Sequence, residues 1–421
     1  MPKAAREKLF SSPQIASIIL AGGQGTRLHP LTEARCKPAV YFAGKYRLVD
    51  IPISNSLHSG ISQIYIILQH LPKSVESHIQ TAYSMNRFPN SEIKILTSSA
   101  QSSYEKHWYH GTADAVRKNI QILKNSSAEY FLILSGDQLY QMDYSEMLSF
   151  AKKEDADLVI ATLPVDRKET HRLGLLKIDE SHKIVDFIEK PTDPQVLENF
   201  ALPKKPEERE AKYLGSMGIY IFKKQALINL LKEEGDDFGK NLIPTQIKKG
   251  KTSAFIYEGY WEDIGTIQSY YEANIALTID GKNCLNIYDV TRPIFTIPRY
   301  LPQPKILNTL VYKSLISPGS IIEAQTIENS IIGPQSYIKK VTTISHSIIT
   351  GNHHPHSSSC MIGENCHIVK AIIDEDVSIG NNVSLINKKN LEHDDVSDRI
   401  FIRNGIIIVT SGTKIPNGFT L

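Results

Sequence analysis

From Ile15 to about Asn274, short apolar runs alternate with longer stretches in which apolar residues recur at helical spacing. Ile64–Leu68, Ile93–Leu96, Tyr130–Leu134, Leu158–Leu163 and Ile219–Phe222 read as strands; Ala113–Leu123, Tyr144–Lys153 and Lys224–Lys232 read as helices. The alternation predicts an α/β domain over residues 1–279, Rossmann-like, with a mostly parallel sheet. Residues 280–305 lose both periods and carry Pro293, Pro298, Pro302 and Pro304, the texture of a linker. Over 306–421 a different period appears. Leu315, Ile321 and Ile327 are six apart, as are Ile332, Ile338 and Ile344, then Ile362 and Ile368, then Ile373, Ile379 and Leu385. Glycine follows isoleucine at Gly333, Gly363 and Gly380, where the corner of a coil needs it. One hexad is too short to bury its own face, so three-sided coils stacked into a parallel β-helix are the stable solution, ahead of an ordinary β-sandwich.

The hexad pattern breaks near 350–360, in a stretch holding His353, His354, His356, Cys360, Cys366 and His367. Those are metal-ligand residue types, yet the stretch reads first as a polar loop inserted into the coil.

The chemistry begins at Ile18–Thr32, I-I-L-A-G-G-Q-G-T-R-L-H-P-L-T, with Lys37-Pro38 behind it. An apolar strand delivers a loop in which Gly22, Gly23 and Gly25 let backbone N–H groups close around an anion. Arg27 adds a bidentate fork and Lys37 a point charge, enough to hold a triphosphate. The spacing is neither the dinucleotide fingerprint nor the Walker motif. L-A-G-G-x-G-T-R-L-x-P-L-T followed by K-P, which includes Thr26, resembles the signature of the sugar-nucleotide pyrophosphorylases.

Further along, Lys45-Tyr46-Arg47 to Ser54-Asn55 is similar to the K-x-R-x-x-D-x-x-x-S-N of the glucose-1-phosphate adenylyltransferases, or ADP-glucose pyrophosphorylases. Gln69 ends a predicted strand, where a carboxamide can read a base edge, though a surface glutamine is an equal reading. Trp108-Tyr109-His110-Gly111-Thr112-Ala113-Asp114-Ala115 resembles the same family's W-Y-x-G-T-A-D-A. Gly111 lets a base or sugar lie on the backbone, and Tyr109 offers a hexose both a face and a hydroxyl.

Asp137 follows Gly136 at the end of a buried strand, where a carboxylate can present a hard divalent cation to phosphate oxygens. Asp263, in W-E-D-I-G-T, matches the family's second metal carboxylate, so the resemblance implies a two-carboxylate Mg²⁺ site. It also implies that Lys190 binds the phosphate of the sugar phosphate, that Glu189 binds sugar hydroxyls, and that Gly174 and Ser216 adjoin glucose. Catalysis then falls to Arg27, Lys37 and Asp137. The nucleophile, a phosphate oxygen, is already an anion, so no general base is required.

The resemblance covers essentially the whole chain and implies that the second domain is a left-handed β-helix. It implies ATP and glucose 1-phosphate as substrates, phosphorylated metabolites as possible effectors, and a homotetramer. The effector lysine of L-T-x-K-R-A-K-P is Ala34 here, and Tyr41 replaces the histidine of relatives inhibited by AMP. Arg35, Arg47 and Arg403 are left as an expected anion pocket between the domains. A nucleotidyltransferase using UTP or dTTP, and a non-catalytic regulatory subunit, are the alternatives.

Composition narrows this little. A net charge of +2 over 421 residues, without a basic run, points away from nucleic acid. Four scattered cysteines favour a reducing compartment, and no apolar run reaches 18 residues. With Pro2, Glu7 and Pro13 the N-terminus resembles neither a signal nor a transit peptide, so a cytoplasmic protein away from membranes is expected.

Overall fold

The computed structural model describes residues 14–97, 108–203, 210–279, 281, 283–353 and 360–421. Strand β1 (Ile15–Leu20) is buried on both faces, Ile19 in the core on one side of its sheet and Ile18 in the core on the other. A strand covered twice must be apolar throughout, which is why it reads as a run rather than an alternation. It lies in parallel between β2 (Gln63–Leu68), with β3 (Glu92–Thr97) beyond, and β4 (Tyr130–Ser135). β4 runs on through Gly136 into β5 (Gln138–Tyr140).

The sheet continues with β6 (Leu158–Val165), β7 (Gly174–Ile178), β8 (Ile184–Glu189), β9 (Tyr213–Lys223) and β10 (Thr252–Ile256). Of these, β9 pairs antiparallel with β4, β6 and β7, so the parallel half carries an antiparallel extension, and β10 pairs parallel with β6. β11 (Trp261–Asp263) returns to pair antiparallel with β5, which sets Asp263 opposite Gln138. Parallel strands deliver their carboxyl ends to one edge, and the loops that follow β1, β2 and β4 meet there.

Among the helices are α1 (Asp50–His58), α2 (Pro72–Ala82), α3 (Thr112–Lys118) and α4 (Ile267–Ala276). The single helix expected over Ala113–Leu123 is two, Thr112–Lys118 and Ile120–Asn125, broken at Asn119. Its side chain donates to Ala115 O at 2.8 Å and to the Tyr109 hydroxyl at 3.1 Å. An asparagine that bonds its own turn competes with helix continuation.

The proline-rich segment is a strap rather than a free linker. Ile287, Ile294, Phe295 and Ile297 pack against the α/β core. Phe295 N donates to Ser54 Oγ on α1, and the Tyr83 hydroxyl donates to Phe295 O, each at 2.8 Å.

The C-terminal part is a three-sided stack of parallel coils. Ile322, Ile338, Ile362, Ile379 and Ile415 are in register down one sheet. Ile327, Ile344, Ile368 and Leu385 line the second, and Ile332, Ile349, Ile373 and Val409 the third. All are at most 1% exposed except Ile415, and burying each isoleucine contributes on the order of 1.5–3 kcal/mol. The strict six-residue register needs correction at Leu315 and Ile321. Ile316, not Leu315, packs against the core of the stack. Ile321 is 41% exposed and Ile322 fills the core, because the step from coil side to coil side is five or six residues. Cys360 and Cys366 are buried in this stack and His367 is exposed, so these three do not gather as metal ligands; His354 and His356 lie outside the described residues. All four cysteines are free.

The two parts share an apolar contact in which Ile348, Ile372, Phe401, Ile406 and Ile408 join the core of the α/β part. The Tyr271 hydroxyl on α4 donates to His346 O across it at 2.7 Å.

Candidate active site

At the end of β1, Ala21 N donates to Ile67 O at 2.9 Å, holding the glycine loop to β2. Gly25 has φ +65°, a conformation that costs an L-residue about 1–2 kcal/mol. A methyl group there would also stand 3.0 Å from Lys37 Cβ and 3.1 Å from Thr32 Cγ2. Gly25 is therefore required both by the turn and by the close passage of Lys37.

Lys37 is buried, and its Nζ lies 2.5 Å from Asp137 Oδ2. Asp137 also accepts from the Ser135 hydroxyl at the end of β4. Burial opposes ionisation of Asp137, but Lys37 beside it outweighs burial and holds the carboxyl below its usual value. Burial works against the Lys37 charge as well, and Asp137 and then Asp263 more than restore it. Asp263 goes the other way: burial, and next the charge on Asp137, push its carboxyl up against the pull of Lys37, Arg172 and Arg27. Ile264 N donates to Asp137 O at 3.3 Å, tying the two segments together. A methyl on Gly265 would be 3.2 Å from Asp263 Oδ2 and 3.5 Å from Arg27 Nη2, so the guanidinium stands over the same point. Two carboxylates and two cations thus converge where three loops meet.

A cavity of about 600 Å³ opens beside this cluster. Gly22, Gly23, Gln69, Tyr109 and Gly111 are among its lining residues. Gln69 Nε2 donates to Tyr109 O at 3.3 Å, and Asp236 O receives the N–H groups of Ala113 and Asp114 at the start of α3. Asp137, Glu189 and Lys190 line it as well. Glu189 is held by space as much as by charge: a methyl on Gly174 or on Gly239 would lie 2.8 Å from its Oε2. Burial raises the Glu189 carboxyl, partly offset by Lys190, whose Nζ is 3.5 Å from Oε1. Lys190 is a non-glycine residue at φ +50°, a strained backbone of the kind found at functional sites. Ser216 accepts from Gly218 N at 3.2 Å at a register shift in β9, next to Gly218 and Tyr220 in the wall.

Residues with no local signal in the sequence complete the lining. His70 lies against Trp108 with ring centroids 4.4 Å apart and the rings tilted by 35°, and Gln138 donates to Met217 O. Asp237, Phe238 and Gly239 arrive from a π-helical segment, Phe238–Leu242, and the Asp237 that caps it.

The expected three-arginine pocket is not what the structure holds. Arg35 is 3% exposed and paired with Asp374 and Glu375. Arg403 bonds Asp395 on the neighbouring strand at 2.6 Å. Arg47 alone of the three lines a second cavity, of about 280 Å³, with Arg87, Arg299, Tyr41, His78 and His353. Its guanidinium sits over the Tyr41 ring, 4.4 Å from the centroid, and donates to the Tyr41 hydroxyl at 2.9 Å. Neighbouring aspartates and strand carbonyls captured the guanidinium groups that proximity in motif alone assigned to one site.

Residues 16–279 match the family model described as Nucleotidyl transferase, and residues 299–420 match the GLGC left-handed parallel beta-helix domain. The chain belongs to the nucleotidyl transferase family. A nucleotidyl transferase domain joined to this β-helix supports sugar 1-phosphate nucleotidyl transfer. A nucleotidyl transferase domain followed by this β-helix is the architecture of glucose-1-phosphate adenylyltransferase, and the chain is a nucleotidyltransferase of that type. No helix among the described residues is long and apolar enough to cross a membrane.

Proposed function

We propose that this chain transfers the adenylyl group of ATP to α-D-glucose 1-phosphate, giving ADP-glucose and pyrophosphate for glucan synthesis. The supporting observation is the Lys37–Asp137–Asp263 cluster beside a single cavity lined by both the glycine loop and Glu189–Lys190. The glycine loop, Thr26 and Arg27 take the triphosphate, with Gln69 and Gly111 at the base. Lys190 takes the sugar phosphate, and Glu189, Tyr109 and Ser216 the hexose, in the space Gly174 leaves. A phosphate oxygen of the sugar phosphate attacks the α-phosphorus, the bond to the β-phosphate's bridging oxygen breaks, and pyrophosphate leaves with both electrons of that bond. No proton moves, so alignment and charge neutralisation carry the rate.

Asp137 and Asp263 fit a Mg²⁺ ion, which takes hard oxygen donors and needs only one or two carboxylates beside phosphate oxygens. Bound there, it would neutralise charge on the transferring phosphate. Lys37 and Arg27 perform the same service from the protein, and Lys37 keeps Asp137 ionised. The Arg47-lined cavity is proposed for a phosphorylated effector, and the assembly as a homotetramer.

The test is pyrophosphate release by the purified chain from glucose 1-phosphate with each of four triphosphates, ATP, GTP, UTP and dTTP. ATP should be preferred; preference for UTP or dTTP reassigns the base, and no turnover with any of them overturns the proposal.

A further inference from the structure

Arg35 and Lys37 stand two residues apart on the segment that connects the glycine loop to Pro38. Lys37 reaches into the acidic cluster of the site, whereas Arg35 turns the opposite way and enters the β-helix. There Nη1 donates to both Asp374 oxygens, at 3.0 and 2.8 Å, and Nη2 donates to Glu375 Oε1 at 2.6 Å. Nη1 also reaches back to Leu31 O at 3.4 Å, closing the loop on itself. The three side chains are at most 10% exposed. A guanidinium taken that far from water needs counter-anions with good geometry, and one carboxylate on Nη1 with a second on Nη2 supplies them. Asp374 is itself fixed, accepting from Glu375 N at 2.8 Å just after the third-sheet strand Ala371–Ile373.

We infer that Asp374 and Glu375 are positioning residues for nucleotidyl transfer: they form a built-in counter-anion that holds Arg35, and through Arg35 the segment that aims Lys37 at the reacting phosphate. The inference rests on the function proposed above. It makes the β-helix part of the site's alignment without any of its residues touching substrate. It also takes Arg35 out of reach of dissolved anions, because the places a phosphate would occupy on its fork are already filled by carboxylates of the same chain.

The test uses the full-length protein and the double variant Asp374→Ala/Glu375→Ala, assayed in sodium formate and in sodium chloride at equal ionic strength. Formate replaces the missing carboxylates in the space the truncations leave. In chloride, kcat should fall about ten- to a hundredfold, the scale of a misplacement of about 1 Å, with KM for the sugar phosphate unchanged. In formate a substantial part of kcat should return. Arg35→Ala should lose kcat similarly and show no response to formate. Glu375→Ala leaves Asp374 on Nη1, so it keeps the fold if the double variant does not, and it should show a smaller loss with the same formate recovery.

Wild-type kcat in the variants, or a loss that formate does not recover, overturns the inference, as does formate recovery in Arg35→Ala. A wild type that forms sugar nucleotide while the variants behave in any of these ways overturns the inference alone. A wild type inactive with all four triphosphates overturns both.

Discussion

The Lys37 ammonium and the Asp137 carboxylate meet at 2.5 Å, and Asp263 lies close enough to both to shift in response to each. This pairing keeps one carboxylate ionised and one cation charged at the point where three loops end. Asp137→Asn should lower kcat by roughly 10²–10⁴, the scale of losing an electrostatic contact made in the transition state. The protein should stay folded, since Asp263 remains as a counter-charge for Lys37, at a cost of about 1–3 kcal/mol read from denaturant unfolding. Near-native turnover would sink the assignment of Asp137.

Lys190 projects from a strained backbone into the cavity with more than half of its side chain exposed, so it is free to meet a ligand. Lys190→Ala should raise KM for glucose 1-phosphate by roughly one to three decades and leave KM for the triphosphate in place, because charge-assisted contacts contribute about 1.5–3 kcal/mol or more. Initial-rate measurements varying each substrate decide this. A raised triphosphate KM alone would mean the two subsites are assigned the wrong way round.

Two glycines of one loop should behave differently. Gly25→Ala combines a left-handed backbone with a methyl 3.0 Å from Lys37 Cβ. It should destabilise by about 1–2 kcal/mol from the backbone alone and, by displacing Lys37, cut kcat roughly ten- to a hundredfold. A methyl on Gly23 meets nothing within 4 Å, so Gly23→Ala should leave the melting temperature unchanged. Equal melting temperatures and turnover for both variants would contradict the close passage of Lys37.

His353 stacks on Tyr41 with centroids 3.6 Å apart. Burial, and then the charges of Arg299 and Arg47, hold its imidazole well below the usual histidine value. The unfolded chain protonates this histidine near pH 6.5 while the folded one does not, so the unfolded state binds more protons as pH falls. Stability contributed above about pH 6.5 is therefore lost below it, by up to about 1.4 kcal/mol per pH unit until the folded value is reached. His353→Phe should flatten that part of the melting profile between about pH 7.5 and 5.5, where His58, also lowered by burial, leaves a smaller residue of the effect. An identical acid slope in the variant would refute it.

The parts legible in the sequence were those with a local cause. β1 and its glycine loop announce themselves because a doubly covered strand and a positive φ each restrict residue type. The coils do so because each must present an isoleucine inward. What stayed hidden depends on chain segments far apart. Parallel and antiparallel strands are both apolar runs, so the antiparallel pairing of β9 left no mark. Prolines made the strap look like a linker, though Phe295 and Ile297 pack into the core. Nothing near Arg35 foretells partners 339 and 340 residues away, and nothing near Arg403 says that Asp395 takes its guanidinium first.

That separation also bears on how the protein comes into being. Arg35 is synthesised 339 and 340 residues ahead of its counter-charges Asp374 and Glu375. At about 5–20 residues per second, roughly 20–70 s pass between the synthesis of Arg35 and that of its counter-charges. Through this interval the α/β domain carries a cation whose carboxylate partners have not yet been made. Arg35 is sheathed only when the coil bearing Asp374 and Glu375 is in place, so burial of this one side chain marks the moment at which the β-helix has docked on the α/β domain.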